Sequence, residues 1–301
     1  MTASTTLQPS RWRDVFIHAQ DGLRLHARDQ GPTTGGRLPL ICLPGLSRNA
    51  ADFEEIADAL ASGPAARRVV SVDYRGRGLS AWDPNPANYD IRVENGDILA
   101  LLAALDIGHA VFLGTSRGGL HIMAMTAIRP TVLAGAILND IGPVIDLGGL
   151  MRIKSYVGRL APPRTLADAA AVMERIADGG FPSFTADDWL RLARKSFVET
   201  NGRLAAHYDP QLLHTLDAYG PDTPPPALWG LFDGLAGVPT LAIRGENSDI
   251  LSAQTLAAMV ERRPDLETLV LPGQAHAPPL WEPDVIARIA DFAERCDARA
   301  A

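Results

Sequence analysis

The stretch that decides the fold is residues 110–120, which read Ala-Val-Phe-Leu-Gly-Thr-Ser-Arg-Gly-Gly-Leu. An apolar run precedes the pattern Gly-x-Ser-x-Gly, and a helical pattern at 120–125 follows it. A strand, this motif and a helix in that order are typical of a tight turn that exposes a serine above a sheet. Larger side chains two residues before or after the serine would collide with the neighbouring strand and helix, so glycine is favoured at both positions. We therefore expect Ser116 to be a nucleophile.

The composition is that of a folded protein with a sizeable core. The chain has 301 residues, of which 47% are hydrophobic and 21% charged, and its formal net charge is −7. Because nucleic-acid-binding surfaces need clustered positive charge, this balance argues against nucleic acid as a partner. Cys42 and Cys296 are too few and too distant for a disulfide framework or a metal cluster. We expect chemistry that needs no metal and no organic cofactor.

The sequence also predicts where the protein acts. Residues 1–10 lack the basic segment followed by an apolar one that marks a secretory signal. No stretch reaches the roughly 18 uninterrupted apolar residues of a membrane span. We therefore expect a cytoplasmic protein with no membrane partner, while the oligomeric state stays open.

Short apolar runs and helical patterns alternate along most of the chain. The runs are typical of strands buried on both faces and lie at residues 38–43, 69–72, 110–113, 134–138, 238–243 and 268–271. Helical spacing occurs between them, as at 51–61 and 94–105. The alternation predicts an α/β fold, with a mostly parallel central sheet and helices on both faces. Residues 12–31 indicate a β-hairpin ahead of this sheet.

The alternation stops between residues 144 and 228. Helical segments are predicted at 166–177, 186–198 and 210–217, and no clear strand pattern is found there. In open α/β sheets, ligands bind at the carboxyl ends of the strands, so an insertion after such an end is well placed to cover a site. We expect a core domain of residues 1–143 and 229–301 and a helical cap, or lid, of residues 144–228.

A serine nucleophile needs a base within hydrogen-bond reach, and the base needs an orienting carboxylate. Of the seven histidines, His276 has the expected place, in a glycine-bearing loop after the last predicted strand. Two aspartates are serious candidates for the acid, Asp249 after the strand at 238–243 and Asp140 after the strand at 134–138. We favour Asp249 because its loop is long enough to reach the histidine, whereas residues 139–143 resemble a hinge. Glu246 is a weaker third choice.

An oxyanion intermediate needs two preorganised N–H donors. The backbone N–H of Arg117, directly after the serine, is one predicted donor. The other is the N–H of Leu46, because Gly45 before it allows the backbone to approach closely. The side chain of Arg117 has two open interpretations: it contacts an anionic group of the substrate, or it pairs with a carboxylate of the cap.

At these residues the sequence resembles the α/β-hydrolase fold superfamily. The segments that carry the resemblance are residues 43–46, 73–80 (Asp-Tyr-Arg-Gly-Arg-Gly-Leu-Ser), 114–118, 244–249 and 273–278. The resemblance implies a Ser-His-Asp hydrolase with a helical cap after the sixth strand. It implies Ser116 as nucleophile, His276 as base and Asp249 as acid. The sequence departs from the superfamily at Pro44, where members often have a histidine that is not part of the triad.

Serine at the turn, rather than the aspartate of the dehalogenases and epoxide hydrolases of this fold, favours acyl chemistry. The leading prediction is a carboxylic ester hydrolase that acts on a small or medium, largely apolar small-molecule ester through an acyl-enzyme. Cleavage of a lactone or a C–C bond by the same triad stays open, as does a ligand sensor with slow turnover. The cap residues that are candidates for lining the pocket are Met151, Tyr156, Phe181, Phe184, Trp189 and Trp229.

Overall fold

A computed structural model describes residues 11–200 and 202–300, so the prediction made for residues 1–10 lies outside the described residues. In chain order the strands are β1 (Arg13–His18), β2 (Arg24–Gln30), β3 (Leu40–Leu43), β4 (Val69–Asp73), β5 (Ala110–Thr115), β6 (Leu133–Asn139), β7 (Phe197–Thr200), β8 (Arg203–Ala206), β9 (Thr240–Gly245) and β10 (Glu267–Leu271). The helices are α1 (Glu54–Leu60), α2 (Ile91–Ala104), α3 (Arg117–Ile128), α4 (Leu147–Tyr156), α5 (Leu166–Ala177), α6 (Ala186–Ser196), α7 (Trp229–Asp233), α8 (Ala253–Arg262) and α9 (Pro283–Ala300). None of the described helices is long and apolar enough to cross a membrane.

Eight of these strands form one sheet in the order β1-β2-β4-β3-β5-β6-β9-β10. The pairs from β4 to β10 are parallel, while β1 pairs with β2, and β2 with β4, in antiparallel fashion. The predicted α/β fold with a mostly parallel sheet is therefore confirmed. The central strands are buried along their whole length, as their continuous apolar runs indicate.

Helices cover both faces of the sheet, and the alternation of side chains along the strands divides the core into two layers. In β3, Ile41 belongs to a cluster with Ile98 and Ile122 from α2 and α3. Its neighbour Cys42 points to the other face, where Ile56 of α1 and Phe292 of α9 pack. The single central strand thus contributes to both layers, which explains why its sequence is apolar without interruption.

The segment between β6 and β9 contains α4, α5, α6, the hairpin β7–β8 and a short 3₁₀ helix at Pro210–Leu216. The helical predictions for this segment are confirmed, with α6 ending at Ser196. The expectation that it holds no strand is wrong. Strands β7 and β8 have only four residues each and bury one residue apiece, Phe197 and Leu204. So short a pair produces too little alternation of apolar and polar residues to be recognised in the sequence.

The turn between β5 and α3 has the strained backbone that its motif predicts. Ser116 has φ 52° and ψ −112°, a backbone conformation that residues other than glycine rarely adopt. A Cβ on Gly114 would lie within 3.0 Å of the Gly118 backbone, and a Cβ on Gly118 within 3.0 Å of the Leu43 carbonyl. The two glycines therefore let strand β3, strand β5 and helix α3 meet around the serine.

Replacing Gly118 by alanine should destabilise the protein, whereas the same change at Gly96 should stabilise it. The new methyl group at 118 collides with the β3 backbone, which should lower the free energy of unfolding by at least about 2 kcal/mol. Gly96 is also helical but faces open space, so alanine there should add about 1 kcal/mol through helix propensity. Urea denaturation of both variants measures the difference. Equal stabilities would contradict the close packing around the turn.

Candidate active site

Three side chains from three loops form a continuous hydrogen-bonded series. Nε2 of His276 lies 2.9 Å from Oγ of Ser116, and Nδ1 of His276 lies 2.7 Å from Oδ2 of Asp140. Ser116 follows β5, Asp140 follows the neighbouring strand β6, and His276 follows β10. The carboxyl ends of these parallel strands lie at the same edge of the sheet, which brings the three residues together.

Asp140 is held from several directions. Its Oδ1 accepts a hydrogen bond of 2.8 Å from the backbone N–H of Gly245, and its Oδ2 accepts one of 2.6 Å from the hydroxyl of Ser248. Its side chain is completely buried, and its φ of 57° lies in the left-handed region that aspartate tolerates better than most residues. These bonds fix the orientation of the carboxylate and, through it, that of the His276 ring.

Asp249, the acid favoured from the sequence, does not contact His276. Its carboxylate forms a two-pronged ion pair with Arg152 of α4, with distances of 2.6 Å to Nε and 2.8 Å to Nη2. Burial by itself would raise the pKa of Asp249, but the hydrogen bonds and charge of Arg152 outweigh it and lower that pKa. The structure thus places Asp140, and not the predicted Asp249, against His276, because the carboxylate of Asp249 is paired with Arg152. Glu246, the third choice, accepts from the N–H of Gly273 instead.

Asp140 is one of the two candidate acids in the sequence, but the sequence analysis favours Asp249. Residues 139–143 resemble a hinge, yet Ile141 is buried in the core and Asp140 donates its backbone N–H to Ile243 in β9 at 2.7 Å. The sequence did contain a signal for Asp140. This residue directly follows β6, which lies beside the nucleophile-bearing β5, so it needs no long loop to reach the site. The length of the 244–249 loop favoured Asp249, which the structure places against Arg152.

The two predicted oxyanion donors lie beside Ser116. Arg117 is the first residue of α3, and Leu46 follows Gly45, where a Cβ would lie 3.8 Å from Cβ of Ser116. Within the described residues, neither backbone N–H has a hydrogen-bond acceptor. Two donors are therefore left available next to the serine, as stabilisation of an oxyanion requires.

The side chain of Arg117 pairs with a carboxylate, but not with one of the inserted segment. It donates to the carboxylate of Glu94 at 2.7 Å, and Glu94 belongs to core helix α2, not to the inserted segment. The same carboxylate accepts from Arg77 at 2.6 Å and lies 3.0 Å from Nε2 of His121. Arg77 in turn donates its Nε–H to the carbonyl of Leu46 at 2.8 Å. Glu94 thus links both predicted oxyanion residues.

The charges around Glu94 leave an excess of positive charge behind the turn. Burial alone would raise the pKa of Glu94, but Arg117 and Arg77 outweigh it and hold that pKa well below its usual range. Burial lowers the pKa of His121 to about 4, so its ring is neutral near pH 7. Two guanidinium groups therefore share a single buried carboxylate behind the turn that carries Ser116.

A cavity of about 210 Å³ opens onto Ser116 and His276. The inserted segment supplies much of its wall, including the predicted Tyr156, Phe181 and Trp189. Met151, Phe184 and Trp229 are not among its lining residues; Phe184 packs behind the wall, 4.6 Å from the ring of Phe181. Further apolar residues in the lining include Ile153, Leu160, Met173, Ile176, Leu192, Phe197, Leu280 and Trp281. In the part of the chain that the structure describes, no three His, Cys, Asp or Glu side chains are grouped to hold a metal ion.

A model of the alpha/beta hydrolase family matches residues 40–289. The chain belongs to this family. An alpha/beta hydrolase from Novosphingobium aromaticivorans has a similar crystal structure, with a TM-score of 0.87 and 40% identity over 96% of this chain and 100% of the other. A 3-hydroxybutyrate-oligomer hydrolase from Cupriavidus necator is 32% identical over 84% of this chain and 87% of its own. A 2-(acetamidomethylene)succinate hydrolase from Mesorhizobium japonicum is 28% identical over 84% of this chain and 85% of its own length.

These similarities identify an enzyme of the hydrolase class. They also agree with the fold that the sequence predicts for this alpha/beta hydrolase. The bond that the enzyme cleaves and the residues that cleave it depend on the site itself, because hydrolases of one fold act on different bonds.

Replacing Glu94 by glutamine should destabilise this hydrolase severely. The change leaves the Arg77 and Arg117 guanidinium groups without a countercharge, and Arg77 is completely buried. Breaking a buried ion pair in this way costs about 3–5 kcal/mol of unfolding free energy, which urea denaturation measures. Asp233→Asn, which breaks the exposed pair with Arg262, is the control and should leave the denaturation midpoint nearly unchanged. Equal effects of the two changes would contradict the role given to Glu94.

Proposed function

We propose that this hydrolase cleaves carboxylic esters through an acyl-enzyme formed on Ser116, with His276 as the base and Asp140 as the acid that orients it. The observation that carries the proposal is the series of hydrogen bonds from Asp140 through His276 to Ser116, at 2.7 and 2.9 Å. A serine hydroxyl becomes a nucleophile when a positioned imidazole can take its proton. The strained turn keeps that hydroxyl clear of the sheet and open to the cavity.

The reaction has two halves. Oγ of Ser116 attacks the ester carbonyl while Nε2 of His276 takes the hydroxyl proton, and the carbonyl π electrons move to the oxygen. The C–O bond to the alcohol then breaks, and the imidazolium of His276 gives its proton to the leaving alkoxide. Water attacks the acyl-enzyme with His276 again as base, which releases the acid and restores Ser116. Asp140 keeps the Nδ1–H tautomer in place and stabilises the imidazolium in both halves.

The backbone N–H groups of Leu46 and Arg117 would bind the oxyanion, and each such donor is worth about 3 kcal/mol of transition-state stabilisation. The cluster around Glu94 supports both of them, because Arg77 bonds to Leu46 and Arg117 carries the second donor. Its excess positive charge is also favourable beside a developing negative charge. We assign Glu94 and Arg77 as positioning residues of this oxyanion site.

Residues 144–228 would act as the cap that covers the substrate. The inserted segment lines much of the cavity, and most of its contribution is apolar. A cavity of about 210 Å³ suits a small or medium acyl group. The cap also excludes water from the reacting carbonyl, which strengthens the electrostatic interactions there.

An ester is the bond best supported among the alternatives. The Cupriavidus necator relative is a 3-hydroxybutyrate-oligomer hydrolase by its name, and 3-hydroxybutyrate units in an oligomer are joined through ester bonds. An ester of a hydroxy acid is therefore a substrate to test early. Among the described lining residues, no contact favours a C–C bond or a slow-turnover sensor over an ester.

A chain-length series of nitrophenyl esters tests the nucleophile. Wild type should hydrolyse the short esters, and Ser116→Ala should lose at least roughly a thousandfold in kcat/KM because no oxygen nucleophile remains. Activity should fall once the acyl chain exceeds the length that the cavity holds. Release of nitrophenolate gives both measurements. Equal, weak rates for the two proteins would overturn the ester proposal.

The proposed role of Asp140 is tested by a matched pair of substitutions. Asp140→Asn should lower kcat about ten-thousandfold, because the amide favours the wrong tautomer of His276. Asp249→Asn should change kcat by less than about tenfold, since its carboxylate contacts Arg152 and not the histidine. Steady-state kinetics on a neutral nitrophenyl ester distinguishes them. The opposite ranking would restore Asp249 as the acid.

A further inference from the structure

Three positively charged side chains line the cavity above Ser116. The carboxylates that pair with two of them lie outside the cavity lining. Arg48, Arg152 and Lys195 line the cavity, together with a single carboxylate among the described lining residues, that of Asp52. The partner of Arg152 is Asp249 and the partner of Lys195 is Glu55, and neither carboxylate is part of the lining. The polar part of the cavity is therefore rich in hydrogen-bond donors and poor in acidic acceptors.

Both arginines keep part of their donor capacity for the cavity. Arg152 uses Nε and Nη2 for Asp249, its Nη1 donates to the Ile176 carbonyl at 3.4 Å, and its guanidinium group also hydrogen-bonds to Tyr156. Arg48 uses Nε and Nη2 for Asp52 in the same manner, and its Nη1 donates to the hydroxyl of Ser196. A guanidinium group has five N–H donors, so each arginine retains donors after these bonds.

Tyr156 lines the same cavity as Arg48 and Arg152, and the charges of both arginines act on its hydroxyl. Burial raises the pKa of Tyr156, and the charges of Arg152 and Arg48 oppose that rise. Its hydroxyl is therefore protonated near pH 7 and is a third donor in the same part of the cavity. The Arg48 side chain starts near Ser116, since both residues approach Gly45. A Cβ placed on Gly45 would lie 3.4 Å from Cγ of Arg48 and 3.8 Å from Cβ of Ser116.

We propose that Arg48, Arg152 and Tyr156 bind a free carboxylate of the substrate, so that the enzyme acts on esters that also carry an acid group. This inference rests on the proposed ester hydrolysis. Two guanidinium groups and a phenol offer the paired, charge-assisted hydrogen bonds that a carboxylate accepts. Asp249 is then a positioning residue, which holds the Arg152 side chain in the cavity wall without contacting the substrate.

Position 149 supports this role for Asp249. Gly149 on α4 packs against the Asp249 backbone, and a Cβ there would lie within 3.0 Å of its carbonyl oxygen. Helix α4 and the 249 loop are therefore held together by close packing as well as by the ion pair. Removing the Asp249 carboxylate frees the Arg152 side chain while the backbone contact stays in place.

Binding is tested without turnover by using Ser116→Ala and two probes of the same shape. Monomethyl glutarate carries a carboxylate, and the methyl ester of glutaric acid monoamide carries a neutral amide in its place. Calorimetry should show at least roughly tenfold tighter binding of the acid. Adding Arg152→Met should remove that preference. Adding Lys154→Met, a cation on the same helix that donates to the Tyr219 carbonyl outside the cavity, should leave it unchanged.

Turnover of the same two esters by wild type and Asp249→Asn tests the positioning residue. Asp249→Asn should raise KM for the acid by roughly tenfold and leave the kinetics of the neutral ester within about threefold. A change that merely loosened the fold would affect both esters alike. Arg152→Lys should restore part of the preference that Arg152→Met loses, because it returns the charge without the paired geometry.

The outcomes separate this inference from the proposed function. Equal binding of acid and amide, or an equal loss of both in Arg152→Met, would overturn carboxylate recognition and leave the ion pair as a clamp between α4 and the core. Binding of the acid that depends on Arg152 would support it, even if ester turnover proved independent of Ser116. That last result would overturn only the assignment of the nucleophile.

Discussion

A single buried carboxylate, that of Glu94, connects the parts of the molecule on which the candidate site depends. It accepts hydrogen bonds from Arg77 in the loop after β4 and from Arg117 at the start of α3. Arg77 also bonds to the carbonyl of Leu46, so the loop after β3 is tied to the same group. Buried charges are stable only when paired and hydrogen-bonded, so the Glu94 carboxylate holds these segments together.

The second constraint is the position of Asp140, which is hydrogen-bonded to His276. With Asp140 at the end of β6, the three hydrogen-bonded residues arise from strand ends at one edge of the sheet, and the series needs no long loop. This leaves Asp249 free to pair with Arg152 of the inserted segment. The loop after β9 therefore contacts two parts of the site. Ser248 donates a hydrogen bond to Asp140, and Asp249 pairs with Arg152 in the cavity wall.

The inserted segment is joined to the core by charge as well as by packing. Besides the Arg152–Asp249 pair, Lys195 and Arg191 of α6 both bond to Glu55, and Asn49 donates its amide to the Lys195 carbonyl at 2.8 Å. These contacts surround a cavity with a mostly apolar wall and one cationic region. The same ion pairs that fix the position of the segment therefore determine which charges face the cavity.

Much of the architecture was determined by the sequence itself. The continuous apolar runs and the helical spacing between them predicted the parallel sheet, and the glycines around Ser116 predicted the strained turn, because both depend on local sterics and on periodicity. His276 was found from its place after the last strand. The choice between Asp140 and Asp249 needed the tertiary structure, since both follow strand ends and only spatial proximity decides which one meets the histidine. The β7–β8 hairpin and the pairing of Arg117 with Glu94 likewise depend on contacts between segments distant in the sequence, which local patterns do not record.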